Sequence, residues 1–575
     1  MLTHLTIRNF KKFGETDFEL GDRVVFIGPN NSGKSSALQA LALWDLGLKK
    51  WTEKRGAGDV PRKRPGVTIN RRDLIALPVP DANLLWRNLH VRETIKGKGT
   101  QNIRIDVVLE GVSKGTSWTC GFEFDYANEE SFYCRPLRLS EDKEPKRMRV
   151  PDEAASVQVA FLPPMSGLAA TETRLDSGAV NVRLGEGRTA EVLRNLCYRV
   201  LEGENGHKRW EEVKEQIREL FNTELEDPRY IPERGEITLS YREGGIRLDI
   251  SSSGRGLQQT LLLLAHMTAH PGAVLLMDEP DAHLEVLRQR QTYHLLTETA
   301  TATGSQIIAA SHSEVVLNEA ADRDMVIAFV GRKPHRMDDR GHQVLKSLKE
   351  IGFDQYYQAE QAGWVLYLEG STDLAILKAF AKNLEHPASK YLERPFVHYV
   401  ANQPRRAQDH FYGLREAKHD LVGFAIYDRL QQDLPQDPNL SQYMWIKREI
   451  ENYLCHREVI LNWTRSFAER HSGGPLFAGR WVSTMEETIA ELEQALAVLK
   501  KHSPWSADIK STDDFFDPLF AKFFEKLQLP NLMRKSEYHE LAPFVLGKQL
   551  DDEIRLVLDK LCRLAETARP EGEER

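Results

Sequence analysis

The sequence predicts an α/β protein whose first part has mixed β-sheets and a helical insertion, followed by a parallel α/β domain with a helical C-terminal extension. Three observations lead to this fold class. The apolar segment 24–27 stops at a glycine-rich turn that opens a helical pattern. A second apolar segment, 273–277, ends in two acidic residues. Apolar strand patterns then restart at 364–368 and 421–427 with helical patterns between them, as in parallel α/β units.

Length and composition indicate several domains without a membrane segment. The chain has 575 residues, of which 41% are hydrophobic and 28% charged, and this length exceeds the usual size of one domain. No apolar run is long enough to cross a bilayer and the first residues lack a signal-peptide pattern, so we expect a cytoplasmic protein. The five cysteines form no CxxC pair, which suits a reducing compartment and excludes a zinc ribbon.

The net charge does not identify a partner. A formal charge of −8 does not by itself indicate a nucleic-acid-binding protein. The most basic stretch, 49–64, holds seven lysines and arginines and fits either a surface that tracks phosphates or a solvated loop. Composition leaves both interpretations open.

A phosphate-binding loop is the most specific motif of the sequence. Residues 28–35, GPNNSGKS, match G-x4-G-K-[ST] between a predicted strand and a predicted helix. In such a loop, backbone N–H groups surround phosphates, a lysine neutralises the β and γ oxygens, and a hydroxyl ligates Mg²⁺. We therefore expect ATP and Mg²⁺ here, with Ser35 as metal ligand. The candidate nucleotide-binding residues are Gly28, Asn30, Asn31, Ser32, Gly33, Lys34, Ser35 and Ser36.

Two acids complete the predicted ATPase site. The strand pattern 273–277 delivers Asp278 and Glu279 to a strand end. Asp278 is suited to hold Mg²⁺ through water, and Glu279 to activate the attacking water as the catalytic residue. About 240 residues separate these acids from the phosphate loop, more than a simple nucleotide-binding domain needs, so a segment is inserted between the two motifs.

The order of these motifs resembles that of ABC-type ATPases of the SMC and OLD kind. The segment 251–259, SSSGRGLQQ, lies where that class has its signature motif, residues 281–284 resemble its D-loop, and a histidine follows the predicted strand 307–310 as the switch histidine does. The resemblance implies a head-to-tail homodimer or higher homo-oligomer in which the signature of one subunit contacts the γ-phosphate held by the other. It implies nucleotide contacts from four residues: Ser253, Gly254, Asp281 and His312.

Acidic residues also follow the strand patterns in the second part of the chain. Glu369 ends 364–368 and precedes a helical pattern that contains Asp373, and Asp428 ends 421–427. Because the carboxyl ends of parallel strands meet at one edge of a sheet, we expect these acids to lie together and to bind a divalent ion. For Asp373, stabilisation of a helix N-terminus is an adequate structural alternative.

This arrangement resembles the opening of a Toprim domain, which implies a Mg²⁺ or Mn²⁺ site. Toprim domains usually have D-x-D at the second strand, whereas this chain has Leu430 in place of the second aspartate, so one-metal and two-metal sites both stay open. The segment 448–454 resembles the acidic element that follows. Glu449 and Glu451 lie two apart and face different ways on a helix, and we favour Glu451 as the metal ligand. Lys535 matches the cation that some OLD-type nucleases use, although a solvated helix face explains it better.

The ATPase motifs followed by Toprim-like acids resemble the OLD family of ATP-dependent nucleases, similar to the Gabija and PARIS defence proteins. The resemblance implies metal-dependent cleavage of double-stranded DNA, a role in anti-phage defence and a partner defence protein. It implies catalytic roles for Glu369, Asp428, Glu451 and Lys535. The expected domains are an ATPase N-terminal lobe (1–171), a helical insertion for dimerisation (172–248), an ATPase C-terminal lobe (249–345), a Toprim core (362–470) and a helical C-terminal part (471–575).

Two other functions compete with that of a nuclease. Leu430 favours a non-cleaving ATPase switch or scaffold whose degenerate Toprim domain regulates a partner. Strand passage of the topoisomerase type needs a nucleophilic tyrosine in a separate DNA-binding domain, and no segment of the sequence suggests one.

Overall fold

The computed structural model describes residues 1–61, 64–74, 77, 79–95, 99–113, 115–140, 145–166, 168–321, 323–329, 333–337, 351–471 and 475–570. The chain divides into two compact units, 1–345 and 346–575. The α/β class expected from the sequence is confirmed in both units. None of the helices in the described ranges is long and apolar enough to cross a bilayer.

The first unit is built from short strands around one long helix. Its described helices are α1 (Lys34–Arg55), α2 (Asp152–Ala155), α3 (Ser177–Gly185), α4 (Leu193–Glu202), α5 (Gly206–Phe221), α6 (Arg255–Ala269), α7 (Val286–Thr303) and α8 (Glu314–Ala320). Its strands are β1 (Leu2–Phe10), β2 (Phe13–Glu19), β3 (Arg23–Ile27), β4 (Val67–Asn70), β5 (Arg92–Ile95), β6 (Gly99–Asn102), β7 (Arg104–Ser113), β8 (Thr116–Asn128), β9 (Ser131–Pro136), β10 (Val159–Leu162), β11 (Glu224–Leu225), β12 (Arg229–Ile231), β13 (Glu236–Thr238), β14 (Ser240–Glu243), β15 (Ile246–Asp249), β16 (Val274–Asp278), β17 (Gln306–Ser311), β18 (Met325–Ala328) and β19 (His335–Arg336).

Two six-stranded sheets enclose α1. One has the order β2-β1-β7-β8-β9-β4 and is antiparallel, and the other has the order β10-β16-β17-β3-β18-β19. Helix α1 packs against strands of both sheets, and Trp44 in its middle stacks on Trp118 of β8 with ring centroids 6.1 Å apart. An apolar helix that is buried on most of its surface is expected between two such layers.

The second sheet brings distant motifs to one edge. Strands β10, β16, β17, β3 and β18 are parallel, and only β17 separates β16 from β3. The carboxyl ends of β3 and β16 therefore lie near each other although the sequence places them far apart. The β-branched and aromatic residues over 67–162, with turn signals between them, predict an antiparallel sheet, and this prediction is wrong for Val159–Leu162, which pairs parallel with β16. The polar composition of 331–341 predicts a connector, and this prediction is wrong at His335–Arg336, because these residues pair antiparallel with β18. Residues 331, 332 and 338–341 lie outside the described ones.

The second unit combines a small parallel sheet with a helical layer. Its described helices are α9 (Phe353–Ala362), α10 (Ser371–Asn383), α11 (Ala388–Leu392), α12 (Pro404–Ala417), α13 (Arg457–His471), α14 (Pro475–Val498), α15 (Asp517–Lys526) and α16 (Asp552–Thr567). Its strands are β20 (Trp364–Leu368), β21 (Val397–Tyr399), β22 (Val422–Tyr427) and β23 (Leu440–Met444). The strand order is β21-β20-β22-β23 and every pair is parallel. Side chains of this sheet and of the C-terminal helices share one apolar core.

Helix α12 carries a buried histidine that contacts strand β20 of this sheet. His410 of α12 is 8% exposed and its ring stacks on His398 at 3.7 Å between centroids. Nε2 donates a hydrogen bond to Gln355 Oε1, so Nδ1 of the neutral ring accepts from the Tyr367 hydroxyl at 2.9 Å. Burial, and then the neighbouring His398, lower the pKa of His410 to about 3.

Acid is expected to destabilise the second unit through His410. Below its ordinary pKa of 6.5 the unfolded chain binds a proton that the folded ring does not, so this contribution to stability is lost as pH falls from about 6.5 towards 3. When the pH is lowered from 7.5 to 5.5, the unfolding free energy of the wild type should fall by about 1 kcal/mol more than that of His410→Gln. Urea unfolding at the two pH values measures this difference. The exposed His419→Gln serves as control and should behave as wild type. Equal pH dependence in all three proteins would contradict the assignment.

Candidate functional site

The loop after β3 has the backbone of a phosphate cradle. Gly28 and Gly33 have φ angles of 154° and 111°, and Asn31 has φ 64°, a region that favours glycine and tolerates asparagine. A Cβ atom at Gly28 would lie 2.8 Å from the Phe329 carbonyl oxygen, and one at Gly33 would lie 2.9 Å from a side-chain carbon of Lys12. Larger residues are therefore excluded at both glycines, and the loop stays tight enough to surround a phosphate.

Lys34 and Ser35 occupy the first turn of α1. Lys34 is 5% exposed, and its ammonium donates hydrogen bonds to the carbonyl oxygens of Gly28 at 2.6 Å and Pro29 at 2.8 Å. Burial lowers the pKa of Lys34, while Glu279 and other nearby acids oppose that shift. The Ser35 hydroxyl donates to Asp278 Oδ1 at 3.0 Å. The two predicted Mg²⁺-binding groups are thus in direct contact.

The other predicted loop residues surround this contact. Asn30 and Asn31 are exposed, and Ser36 is half-buried in the first turn of α1. The Ser32 hydroxyl is buried without a hydrogen-bond partner among the described residues. Their nucleotide contacts stay predictions.

Three further residues lie beside Asp278. Glu279 follows β16 with φ 51°, and its backbone N–H donates to the Ala310 carbonyl of β17. His312 Nδ1 lies 3.8 Å from Glu279 Oε1, and the His312 side chain is half exposed. Burial raises the pKa of Asp278 to about 6, and it also raises the pKa of Asp281, which is 5% exposed. An acid, a histidine and a phosphate loop therefore face one another, as hydrolysis of a bound nucleotide requires.

The segment that resembles a signature motif precedes α6. The sequence pattern predicts a helix that begins with the segment 251–259, but α6 begins at Arg255 because residues 250–252 form a 3-10 turn capped by Asp249. The Ser253 hydroxyl donates to the Ile250 carbonyl at 2.7 Å, and Gly254 has extended backbone at the helix N-cap. The contact of Ser253 and Gly254 with a phosphate of another subunit stays a prediction.

Sequence reasoning missed a pocket next to the phosphate loop. This cavity of about 230 Å³ is lined by Ser32 and by basic and aromatic side chains from the β1–β2 turn and from distant segments. Lys12, which donates a hydrogen bond to the Asn31 carbonyl, belongs to this turn, and Phe13 begins β2. The basic turn 11–12 is the sequence feature that could have indicated this pocket. Arg87 and Lys333 lie far from it in sequence and reach the pocket only through tertiary structure.

The carboxyl edge of the second sheet gathers the predicted acids. The strand order is β21-β20-β22, so the chain leaves β20 towards β21 on one side, while β22 lies on its other side. In α/β sheets, a crevice forms at the carboxyl ends of two neighbouring strands of this kind. Glu369 follows β20 and Asp428 follows β22, and the two carboxyl groups are close enough that Glu369 raises the pKa of Asp428. The backbone N–H of Asp428 donates to Asn402 Oδ1 at 3.0 Å, which holds the strand end in place. Asn402 is a further residue that the sequence did not indicate.

Asp373 and Glu451 lie near this pair. Asp373 Oδ2 accepts the backbone N–H of Glu369 at 3.1 Å. Glu451 belongs to the 3-10 turn Ile450–Tyr453, and the backbone N–H of Ile450 donates to Asp428 Oδ1 at 3.2 Å. The four acids, which we call the carboxylate cluster, are Glu369, Asp373, Asp428 and Glu451.

Glu449 has a different environment from Glu451. It is 5% exposed and accepts hydrogen bonds from the Ser511 hydroxyl and from the N–H and hydroxyl of Thr512. Its carboxylate therefore fixes the π-helix Ser511–Phe516, whereas Glu451 is the acid that interacts with Asp373.

Electrostatics link the members of the carboxylate cluster. Burial, and then the Glu369 carboxyl group, raise the pKa of Asp428. Burial and nearby acids raise the pKa of Glu451 to about 8, and burial with Glu369 raises that of Asp373 to about 6. Each negative charge thus disfavours the others. Within the described ranges, however, no three His, Cys, Asp or Glu side chains are spaced as ligands of one metal ion.

Two other predicted features are Lys535 and the basic stretch 49–64. Lys535 is 59% exposed and pairs with Asp513 at 3.1 Å; burial lowers its pKa, but the hydrogen bond to Asp513 gives a net upward shift. No hydrogen bond or ion pair in the described part of the chain joins it to the four acids, and its catalytic role stays a prediction. In the basic stretch 49–64, Lys49 and Lys50 pair with Asp45 and Asp73, and Arg62 and Lys63 lie outside the described residues.

Two segments of the first unit match family models of ATPase domains. Residues 1–49 match a model described as an AAA ATPase domain. Residues 189–318 match one described as "AAA domain, putative AbiEii toxin, Type IV TA system". The matches cover the phosphate loop and the acids after β16, so the first unit contains an AAA-type ATPase domain that binds nucleotide. No curated protein matches the chain.

Solved structures of SMC head domains are among the matches. The head from Thermotoga maritima has 18% identity and a TM-score of 0.29, and the match covers 57% of this chain and 94% of that one. The Pyrococcus furiosus head bound to the C-terminal domain of ScpA has 15% identity and a TM-score of 0.34, with 61% and 99% covered. The Pyrococcus yayanosii head has 11% identity and a TM-score of 0.35, with 60% and 99% covered. TM-scores of this size assign neither fold nor function.

Lys34→Ala and Ser35→Ala are expected to reduce ATP hydrolysis by about 100-fold or more, because they remove the predicted counter-charge of the phosphates and the predicted Mg²⁺ ligand. Phosphate release with saturating Mg²⁺ measures the effect. Lys54→Ala, which removes an exposed lysine from the last turn of the same helix, is the matched control and should retain wild-type activity. Substantial hydrolysis by Lys34→Ala would place the nucleotide elsewhere.

Proposed function

We propose that this protein is an ATP-regulated, metal-dependent DNA endonuclease whose second unit cuts the DNA. The observation that carries the proposal is the position of Glu369 and Asp428 at the carboxyl ends of adjacent parallel strands, where the Glu369 carboxyl group raises the pKa of Asp428. Carboxylates that gather at such an edge, against their mutual repulsion, are typical of sites that hold a cation.

A divalent ion suits the chemistry of this donor set. Hard oxygen ligands are those that Mg²⁺ and Mn²⁺ prefer, and a positive charge would stabilise acids whose pKa is raised by burial and by each other. Glu369 and Asp428 would be the principal ligands, with Glu451 beside them. A bound ion of this kind polarises a phosphodiester and lowers the pKa of an attacking water. Asp373 holds the Glu369 backbone and thereby orients the first ligand.

ATP would act on cleavage through paired ATPase domains. The resemblance to OLD-type proteins supports a homodimer, or a higher homo-oligomer, in which Ser253 of one subunit completes the nucleotide site of the other. The same resemblance supports double-stranded DNA as substrate and anti-phage defence, with a partner protein, as the biological setting.

A non-cleaving ATPase switch is the second candidate. Leu430 occupies the position of an acid, and its backbone N–H is bonded to Met444 Sδ at 3.0 Å. The carboxylate cluster also lacks the spacing of a preformed metal site among the described side chains. Under this function the second unit would bind a partner or a nucleic acid without cutting it.

Wild-type protein is expected to nick supercoiled plasmid with Mg²⁺ or Mn²⁺, while Glu369→Gln and Asp428→Asn lose about 100-fold or more of this activity because each removes a charged ligand. Gel assays with and without ATP measure the nicking rate. Asp433→Asn, which changes an exposed acid in the loop after β22, is the matched control. Lys34→Ala reports whether the effect of ATP requires the first unit.

Two outcomes of this assay argue against cleavage by the carboxylate cluster. Nicking that survives Glu369→Gln would indicate a contaminating nuclease or another site. Absence of metal-dependent cleavage on plasmid, linear DNA and RNA, together with intact ATP hydrolysis, would favour the switch.

Mixing two inactive variants tests the composite ATPase site. Lys34→Ala and Ser253→Arg should each be inactive alone, but a mixed dimer carries one site with both Lys34 and Ser253 intact. Equal mixing with free exchange should restore roughly a quarter of wild-type hydrolysis. No recovery, with subunit exchange verified by tagged copies, would contradict the shared site.

A further inference from the structure

The first unit contains a second cavity, away from the phosphate loop. Its volume is about 350 Å³, within the range of small-molecule sites. Its walls come from the middle of α1, the C-terminal end of α6, strand β10 and helices α3 and α4. Apolar side chains, among them Leu46 and Leu184, form one part of the lining, and ionisable side chains form the other.

Several buried polar atoms face this cavity without a partner in the described structure. Neither ring nitrogen of His266 makes a hydrogen bond of normal geometry, although the residue is only 1% exposed and the Ala160 carbonyl lies nearby. Arg199 Nη1 and Asp45 Oδ1 are also buried and unpaired. Buried polar groups in folded proteins are almost always hydrogen-bonded, so this concentration in one cavity points to a bound molecule.

The charges of the cavity leave one cation uncompensated. Asp45 Oδ2 pairs with Lys49 at 2.7 Å, and Asp73 Oδ1 pairs with Lys50 at 2.9 Å. Arg199 makes no ion pair within the described ranges. A buried guanidinium without an ion-pair partner is stabilised by an anion. Its planar set of N–H donors matches the two oxygens of a carboxylate.

The remaining unpaired atoms include hydrogen-bond acceptors. Burial lowers the pKa of both His266 and His270, so both rings are neutral and each offers an acceptor nitrogen. His270 Nδ1 is bonded to the His266 carbonyl at 2.8 Å, which leaves its Nε2 as that acceptor. These two histidine nitrogens and Asp45 Oδ1 are hydrogen-bond acceptors, so a ligand that satisfies them must supply a donor.

We propose that this cavity binds a small organic carboxylate that also carries a hydrogen-bond donor, of which an amino acid is the simplest example. The carboxylate contacts Arg199, the donor contacts Asp45 and the histidine nitrogens, and the hydrocarbon part lies against Leu46 and Leu184. The ligand touches α1, which begins at Lys34, and α6, which follows Ser253. It therefore bridges the two helices whose first turns belong to the nucleotide site.

Thermal unfolding of the full-length protein with each of the twenty amino acids and with lactate tests the proposal. At least one probe should raise the melting temperature in a concentration-dependent way. For the best probe, calorimetry should give an affinity at least about tenfold weaker for Arg199→Gln, since the ion pair is lost. Ala42→Leu, which fills the cavity from α1, should weaken binding as well. Arg218→Gln on α5, outside the cavity, is the matched control and should bind as wild type.

Three results would overturn the proposal. They are the absence of any shift with all probes, equal affinity of the wild type and Arg199→Gln, and equal affinity for the amine that lacks the carboxyl group of the best probe. Arg199→Gln removes no hydrogen bond within the described structure, so its melting temperature without probe should match the wild type and reduced binding cannot be explained by unfolding.

Discussion

The hydrogen bond from Ser35 to Asp278 is the contact on which the first unit depends. It joins residues 243 positions apart at 3.0 Å, and it exists because β3 and β16 are parallel and separated by a single strand. Everything else in the nucleotide site is arranged around this contact. Lys34 reaches back to the loop carbonyls, and His312 reaches Glu279 from the end of the intervening strand β17. A change of strand order would separate these groups while leaving every sequence motif intact.

The second unit also brings side chains together at the carboxyl ends of parallel strands, but here the side chains are all acids. Its parallel strands bring Glu369 and Asp428 together, and these like charges oppose each other unless a proton or a cation lies between them. The fold tolerates this because other atoms hold the acids in place: Asn402 binds the Asp428 backbone, and Asp373 binds that of Glu369. Holding groups that repel each other lowers the stability of the folded protein. Proteins tolerate this mostly at sites where a bound ligand restores the lost stability.

Local patterns predicted the parts of the structure that depend on neighbouring residues. The glycine loop, the strand ending at Asp278 and the acids after β20 and β22 are visible because apolar runs and turns are local features. Arg87, Lys333 and Asn402 were missed because their positions depend on which strands pair. Strand β19 was missed for the same reason: His335–Arg336 has a polar composition, and only pairing with β18 makes it a strand.

Glu449 has a consequence for how the second unit can be divided. The sequence suggested a core that ends at residue 470, but the donors to the buried Glu449 carboxylate come from Ser511 and Thr512. A fragment truncated at 470 would remove these three donors from the Glu449 carboxylate, one residue from the turn that carries Glu451, and would also remove the helices that share the apolar core of the sheet. The helical remainder is therefore part of the folding unit, and fragments for expression or crystallisation must extend past it.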